Sequence, residues 1–418
     1  MSSKRIILRL DEIAQINPKR RVKKGTSVPF IDMAALPQNF RDIKDNDVEI
    51  RVAKGAGAHF QNGDTLLARI TPCLENGKTA QVNCLDKNCI GEGSTEFIVL
   101  CGIDHIDNDY IYYLCRDPIF RKYAIRHMEG TSGRQRVSWR SIAAYEFPFP
   151  QPNERRVAAQ VLSLIDDHIK LLSDMNSTIE AIAQSLFKSW FVDFDPVCAK
   201  QEGKKPEGMD VVTASLFPNS FEVSEFGKIP KGWKPELLGN LVIPKRGKII
   251  TKATSIEGNI PVVAGGIDPA YFHNQSNVSG PVVTISSSGN AGFVRLYQQD
   301  IWASDCSYIS KEQSTLVFYW YLLLKSNQEK IYFMRHGAVQ QHVNPSDLMR
   351  LKIIFTNNLE IVSIFNEIVS PLFIKIGENN LEIQILSNIR NVLLPKLILG
   401  KLKIPNVEEI NNKTKVNA

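Results

Sequence analysis

No run of apolar residues in this chain is long enough to cross a bilayer. The longest, Leu316 to Leu324, falls far short of the roughly 20 residues a spanning helix needs, and it reads as a buried helix. No charged-then-apolar leader opens the sequence, which speaks against secretion. Cysteine is scarce and odd in number. Seven in 418 residues, without the spacing of a secreted scaffold, point to free thiols in a reducing cytoplasm. Cys73, Cys84, Cys89 and Cys101 lack a Cys-x2-Cys knuckle, so they read as buried strand residues rather than zinc ligands.

Nucleotide-binding loops are missing too. Gly91-Glu92-Gly93 has no third glycine at the required spacing, and no loop ends in Gly-Lys-Ser/Thr, which excludes an ATPase of that type. Asp268-Pro269-Ala270-Tyr271 approaches the Asp/Asn-Pro-Pro-aromatic signature of a methyltransferase. It carries Ala in place of the second Pro and has no glycine-rich donor loop before it, so it reads as a turn. Glu202-Gly203-Lys204 has no carboxylate partner and reads as a solvated loop rather than half of a nuclease metal centre. No catalytic residue, metal ligand or directly bound cofactor is assigned.

What is present is a plan used twice. An amphipathic segment from Asn153 to Phe191 is followed, after a second block of different composition, by another from Asn358 to Leu402. Gly130, Val137 and Ile142 lead to Phe147-Pro148 before the first; Gly337, Val343 and Leu348 lead to Ile354-Phe355 before the second. Hydrophobic content of 43% and charged content of 22% suit a soluble chain, and its length suits two or three domains. Net charge is +6, unevenly spread. Residues 1–150 carry 22 Lys+Arg against 18 Asp+Glu (+4), 151–224 carry 7 against 11 (−4), 225–355 carry 14 against 9 (+5) and 356–418 carry 7 against 6 (+1). Basic globular blocks fit a polyanionic partner.

In the first block, Arg9–Ile13 reads as a short helix, Thr65–Ile70 and Glu96–Leu100 as strands, and Asp109–Ala124 as one helix with Tyr113 and Leu114 inward. The second echoes this order with Leu237–Leu241, the strand Val282–Ser286, Tyr308-Ile309 and the helix Leu316–Leu324. Short strands with Gly/Pro/Asn turns predict an α+β module, a partly opened barrel. In the first amphipathic segment Val157, Val161, Leu164, His168, Leu171 and Met175, then Ile179, Ile182 and Leu186, define an apolar seam. A helix of that length spans roughly 55 Å and needs a partner. The second segment supplies one, with Ile361, Ile364, Ile368, Leu372, Ile376, Leu386, Ile389 and Leu393, and Pro371 predicts a kink or break. The two are expected to pair antiparallel. His168 reads as a core residue or a contact to the partner helix. Asp193 to Gly232, rich in Pro and Gly, reads as a surface linker.

Several motifs resemble those of the specificity (S) subunits of type I restriction–modification systems. Phe187-Lys188-Ser189-Trp190-Phe191-Val192-Asp193-Phe194-Asp195-Pro196-Val197 is similar to the end of that family's central conserved region. Ile229-Pro230-Lys231-Gly232-Trp233 resembles the entry to its second target-recognition domain, and Leu393 to Leu402 its distal conserved region. Gly280 through Ser286, with Gly289, Gly292, Trp302 and Asp305, resembles one form of recognition domain.

The resemblance implies an α+β fold: two similar α/β target-recognition domains separated by a long antiparallel two-helix coiled coil, pseudo-twofold symmetric. It divides the chain into target-recognition domain 1 (1–150), a central conserved helix (151–192), a linker (193–232), target-recognition domain 2 (233–355), a distal conserved helix (356–402) and a tail (403–418). It implies a cytoplasmic, non-catalytic subunit. Each globular domain would read one half of a bipartite site in double-stranded DNA, and the helices would space the domains and dock two methyltransferase subunits. S-adenosylmethionine would belong to those partners, and ATP and Mg to restriction subunits if present. The rival readings are a stand-alone DNA methyltransferase or nuclease, and a scaffold protein that binds no DNA.

Phosphate contacts need cations and amides, and base edges need Arg, Asn or Gln. The first block offers the run Lys19, Arg20, Arg21, Lys23 and Lys24, and then Arg134, Gln135 and Arg136 in a loop before the helix. The second offers Lys245, Arg246 and Lys248, the polar loop with Ser287 and Asn290, and Gln340, Gln341 and His342 at the equivalent pre-helix position.

Overall fold

The computed structural model describes residues 7–103, 107–131, 133–337 and 341–402. The chain divides into two compact units. One runs up to Leu172 and resumes at Glu382; the other is Ser173–Leu381.

In the first unit, Ile7–Arg9 pairs antiparallel with Glu146–Pro148. An antiparallel sheet has the order Ala14–Ile16, Phe97–Gly102, Thr65–Ala68, Thr79–Gln81. A second has the order Glu49–Val52, Ser27–Ile31, Gly91–Gly93, Ala58–Phe60, with a parallel step between its middle strands. Phe97–Gly102 is buried along its whole length because successive side chains enter different cores. Ile98 and Leu100 pack with Tyr110, Tyr113 and Leu114, whereas Phe97 and Val99 pack with Ile31 and Phe60 of the second sheet.

The second unit repeats this order. Trp233–Leu237 pairs with Lys352–Thr356. Lys245–Arg246, Cys306–Ser310, Val282–Ser286 and Val294–Tyr297 form one sheet, and Tyr271–His273, Ile260–Val263 and Trp302–Ala303 the other, again with one parallel step. Val283, Ile285 and Ile309 face the helices, and Val282 and Cys306 face the smaller sheet. The counterpart of Ala58–Phe60 is reduced to one antiparallel bridge, Val278 opposite Ile301, so this sheet has three strands where the first unit has four.

Both long helices are 40 residues, Pro152–Phe191 and Leu359–Ile398. They run antiparallel: Asp166 meets Arg390 in the first unit, and Asn176 meets Asn379 and Asn380 in the second. The buried stripe of the first helix is not the expected seam. It runs Arg155, Ala158, Leu162, Asp166, Ile169, Leu172, and resumes through Ala183, Phe187 and Trp190, while Leu164 and Leu171 are 68% and 59% exposed. An apolar count discards Arg155, Asp166 and Asn176, yet their paired polar groups lie on the packed face and shift the phase. Arg155 forks onto Asp107 at 3.0 and 2.6 Å. Ile368 and Ile389 of the second helix are exposed for the same reason, with Val369 and Arg390 buried beside them.

The helix does not break at Pro371. The missing hydrogen bond costs about 3 kcal/mol or more. Phe365, Val369 and Phe373 are essentially fully buried around it, each contributing roughly 1.5–3 kcal/mol. The Ser370 hydroxyl also donates to the Asn366 carbonyl. Conversely, the expected single helix 109–124 is two, Asn108–Arg116 and Pro118–Arg126. Pro118 opens the second, and Asp117 caps it by accepting from the amides of Ile119 and Phe120 at 2.8 and 3.2 Å.

The segment expected as a surface linker is more ordered than its composition implies. It holds helices Asp195–Gln201 and Val211–Leu216 and the hairpin Phe221–Ser224/Gly227–Pro230. Val197, Met209, Phe217 and Ile229 are buried. Phe187, Trp190 and Phe191 explain the aromatic motif: they meet Phe365, Tyr319, Phe217 and Trp233 with ring centroids 5.0–5.9 Å apart. Among the described residues no helix is long and apolar enough to cross a membrane.

Candidate nucleic-acid interface

In each unit the candidate residues gather where the innermost sheet strands end. The backbone fixes the correspondence. Arg69 N–H donates to Glu96 O at 3.0 Å and Val137 N–H to Arg69 O at 2.9 Å. In the second unit Ser287 N–H donates to Asp305 O, and Val343 N–H to Ser287 O, both at 3.1 Å. Arg69, Glu96 and Val137 thus occupy the places of Ser287, Asp305 and Val343, which sets Arg136 opposite His342. The two basic runs also correspond, since both flank the strand that follows Glu96 or Asp305.

Lys19, Arg21, Lys23 and Lys24 are exposed and form no ion pair among the described residues. Arg20 is turned inward: its guanidinium forks onto the buried Asp64, with Nη2–Oδ1 at 2.9 Å. Arg134 is exposed. Arg136 grips Glu96 with Nε at 2.9 and 3.0 Å and Nη2 at 2.7 Å, and this hydrogen bonding, then the carboxylate charge, holds its pKa above the ordinary value. Gln135 is tied to Thr71 through its backbone.

In the second unit Arg246 is a hub. Nη2 reaches Asp305 Oδ1 at 2.6 Å, and Nη1 reaches Ser287 Oγ at 2.6 Å and Asn344 Oδ1 at 3.4 Å. Ser287 is buried and accepts from this arginine, so its hydroxyl faces the protein. Ser288 Oγ donates to the other oxygen of Asp305. Lys245 pairs with Glu312 at 3.2 Å; Lys248 and Asn290 are exposed. Gln341 accepts from Arg335, and His342 pairs through its backbone with His336. Gln340 lies outside the described residues.

A family model described as "Type I restriction modification DNA specificity domain" matches residues 230–385. The MjaIX specificity subunit of Methanocaldococcus jannaschii is 26% identical over 327 residues, covering 72% of this chain and 70% of that protein. The HindI specificity subunit of Haemophilus influenzae is 24% identical over 412 residues, covering 82% and 87%. The chain is thus similar to specificity subunits of type I restriction–modification systems along most of its length. A crystal structure of the S subunit from M. genitalium has the same fold, with a TM-score of 0.54 at 16% identity over 95% of this chain and 97% of that one.

Sequence reading missed the acids of this candidate interface, Glu96 and Asp305, as arginine anchors, and it missed Arg69. A usable signal was there: each acid sits just before an apolar strand, Glu96-Phe97 and Asp305-Cys306, and Arg69 just after one. The remaining motifs stay outside the interface. Asp268 pairs with Arg295 at 3.2 Å, and Glu202 with Lys204 at 2.8 Å. Cys73, Cys84 and Cys89 are half-buried against the second core, and only Cys101 of the four lies in a strand. His168 touches Glu382 of the facing helix at 3.4 Å.

The Arg134 and Arg136 side chains present their charge at the surface of the first unit only. Replacing both by Ala is expected to weaken binding at one half-site and leave the footprint at the other unchanged. Equal footprints at both halves would remove the pair from the interface.

Proposed function

We propose that this specificity subunit reads a bipartite site in double-stranded DNA, one unit to each half-site. The long helices set the half-site spacing and dock two methyltransferase subunits. The observation that carries this is the repeated strand order, which brings a basic run and a pre-helix loop to the same sheet end in both units. Two similar heads suit a target with two halves. Exposed Leu164, Leu171 and Val392 in the first unit, and Ile374 and Leu381 in the second, give the helices apolar surface for partners.

The chain is the non-catalytic subunit of the enzyme. Methyl transfer from S-adenosylmethionine to a flipped adenine belongs to the methyltransferase subunits, and ATP- and Mg-dependent steps to restriction subunits. The complex would work in the cytoplasm.

The test is selection from random duplex DNA by the chain assembled with its methyltransferase subunit. The expected product is a split motif with a fixed gap, bound more weakly as salt rises. A contiguous motif, or none, would defeat the proposal. Methylation by the chain alone with S-adenosylmethionine would favour the stand-alone methyltransferase.

A further inference from the structure

The first unit contains a groove of ≈ 300 Å³ between the segment Asn17–Arg20, the strand Ala58–Phe60 with its approach, and the side chains of Arg69 and Thr95. That strand is the one reduced to a single bridge, Val278 opposite Ile301, in the second unit. No carboxylate lines the groove.

Two of its polar side chains carry buried atoms without a hydrogen-bond partner, Arg69 Nε and His59 Nε2. Arg69 has no ion pair among the described residues. The acid nearest in sequence to its backbone partner, Glu96, is held by Arg136. The Arg69 main chain is fixed on both sides by its bonds to Glu96 and Val137. His59 Nδ1 lies 3.0 Å from the Arg20 carbonyl, so Nδ1–H donates there and Nε2 is left as an acceptor. Arg20 is itself clamped by Asp64. The side chains lining the groove therefore leave one guanidinium donor, Arg69 Nε–H, and one oriented acceptor, His59 Nε2, unsatisfied.

In the major groove a G·C pair shows the complementary pattern: the guanine N7 and O6 acceptors followed by the cytosine N4 donor. An A·T pair puts the adenine N6 donor where the guanidinium needs an acceptor. A phosphate has no donor for His59 Nε2, and Lys19 at the groove, with exposed Arg21, Lys23 and Lys24 next along the chain, already offers cations to phosphates. We propose that Arg69, with His59, reads a G·C pair in the half-site bound by the first unit. This deepens the reading of the chain as a split-site reader and rests on it.

The experiment compares motifs selected from random duplex DNA by complexes with methyltransferase subunits that contain wild-type chain, Arg69→Gln, Arg69→Lys or His59→Phe. Arg69→Gln and Arg69→Lys are both expected to lower the preference for guanine at one position of one half-site by roughly 5- to 150-fold, leaving the other half intact. His59→Phe is expected to relax the same base pair, which keeps the inference testable if Arg69→Gln misfolds. An unchanged motif overturns the inference. So does a uniform loss of affinity that Lys restores, the signature of a phosphate contact. A wild-type complex that selects no split motif defeats the underlying reading, and this inference with it.

Discussion

Replacing Arg390 by Ala is expected to destabilise the first unit by about 3–5 kcal/mol, because it strands a buried charge. Asp166 and Arg390 side chains are 2% and 4% exposed and meet at 2.6 Å. Asp166 also accepts from the Tyr113 hydroxyl at 2.7 Å. Burial, then the charge of Asp166, pushes the Tyr113 phenol far above its ordinary pKa and keeps it a donor. Removing Arg390 leaves the carboxylate with one neutral partner. Replacing both charged residues by Leu is expected to recover much of the loss, since a buried ion pair is often no more stable than apolar groups of similar volume. Urea unfolding of the three proteins checks this. A single variant as stable as wild type would show that the site rehydrates.

Replacing Arg246 by Ala is expected to weaken binding by roughly 5- to 150-fold, with all of the change at the half-site of the second unit. The side chain joins Asp305, Ser287 and Asn344, three elements distant in sequence. Its loss leaves Asp305 without its cation, so a phosphate bound there in the proposed complex would be repelled rather than attracted. Lys at this position restores charge but not the fork, and is expected to recover affinity without sequence preference. Quantitative footprinting on the full site and on each half-site distinguishes the outcomes. Equal loss at both halves would mean that Arg246 only supports the fold.

The aromatic motif around Phe187, Trp190 and Phe191 was legible in the sequence because large apolar side chains at helical spacing have few alternatives to burial. Val282–Ser286 was legible because an unbroken β-branched run between turn residues suits a strand buried on both faces. The helix phase was not legible. Arg155, Asp166 and Asn176 look like surface residues until Asp107, Arg390 and Asn379 are known to lie opposite. Among the candidate contacts, the sequence did not separate Arg20, which forks onto Asp64, from Arg21, which is exposed.

The sequence by itself determined the duplication, the places of the principal strands and the presence of two long helices, since these follow from local composition and periodicity. Only the tertiary structure decided which helix face is buried and which arginines remain available. Both depend on partners far away along the chain: Asp64 draws Arg20 inward, whereas Glu96 and Asp305 hold Arg136 and Arg246 in place at the surface.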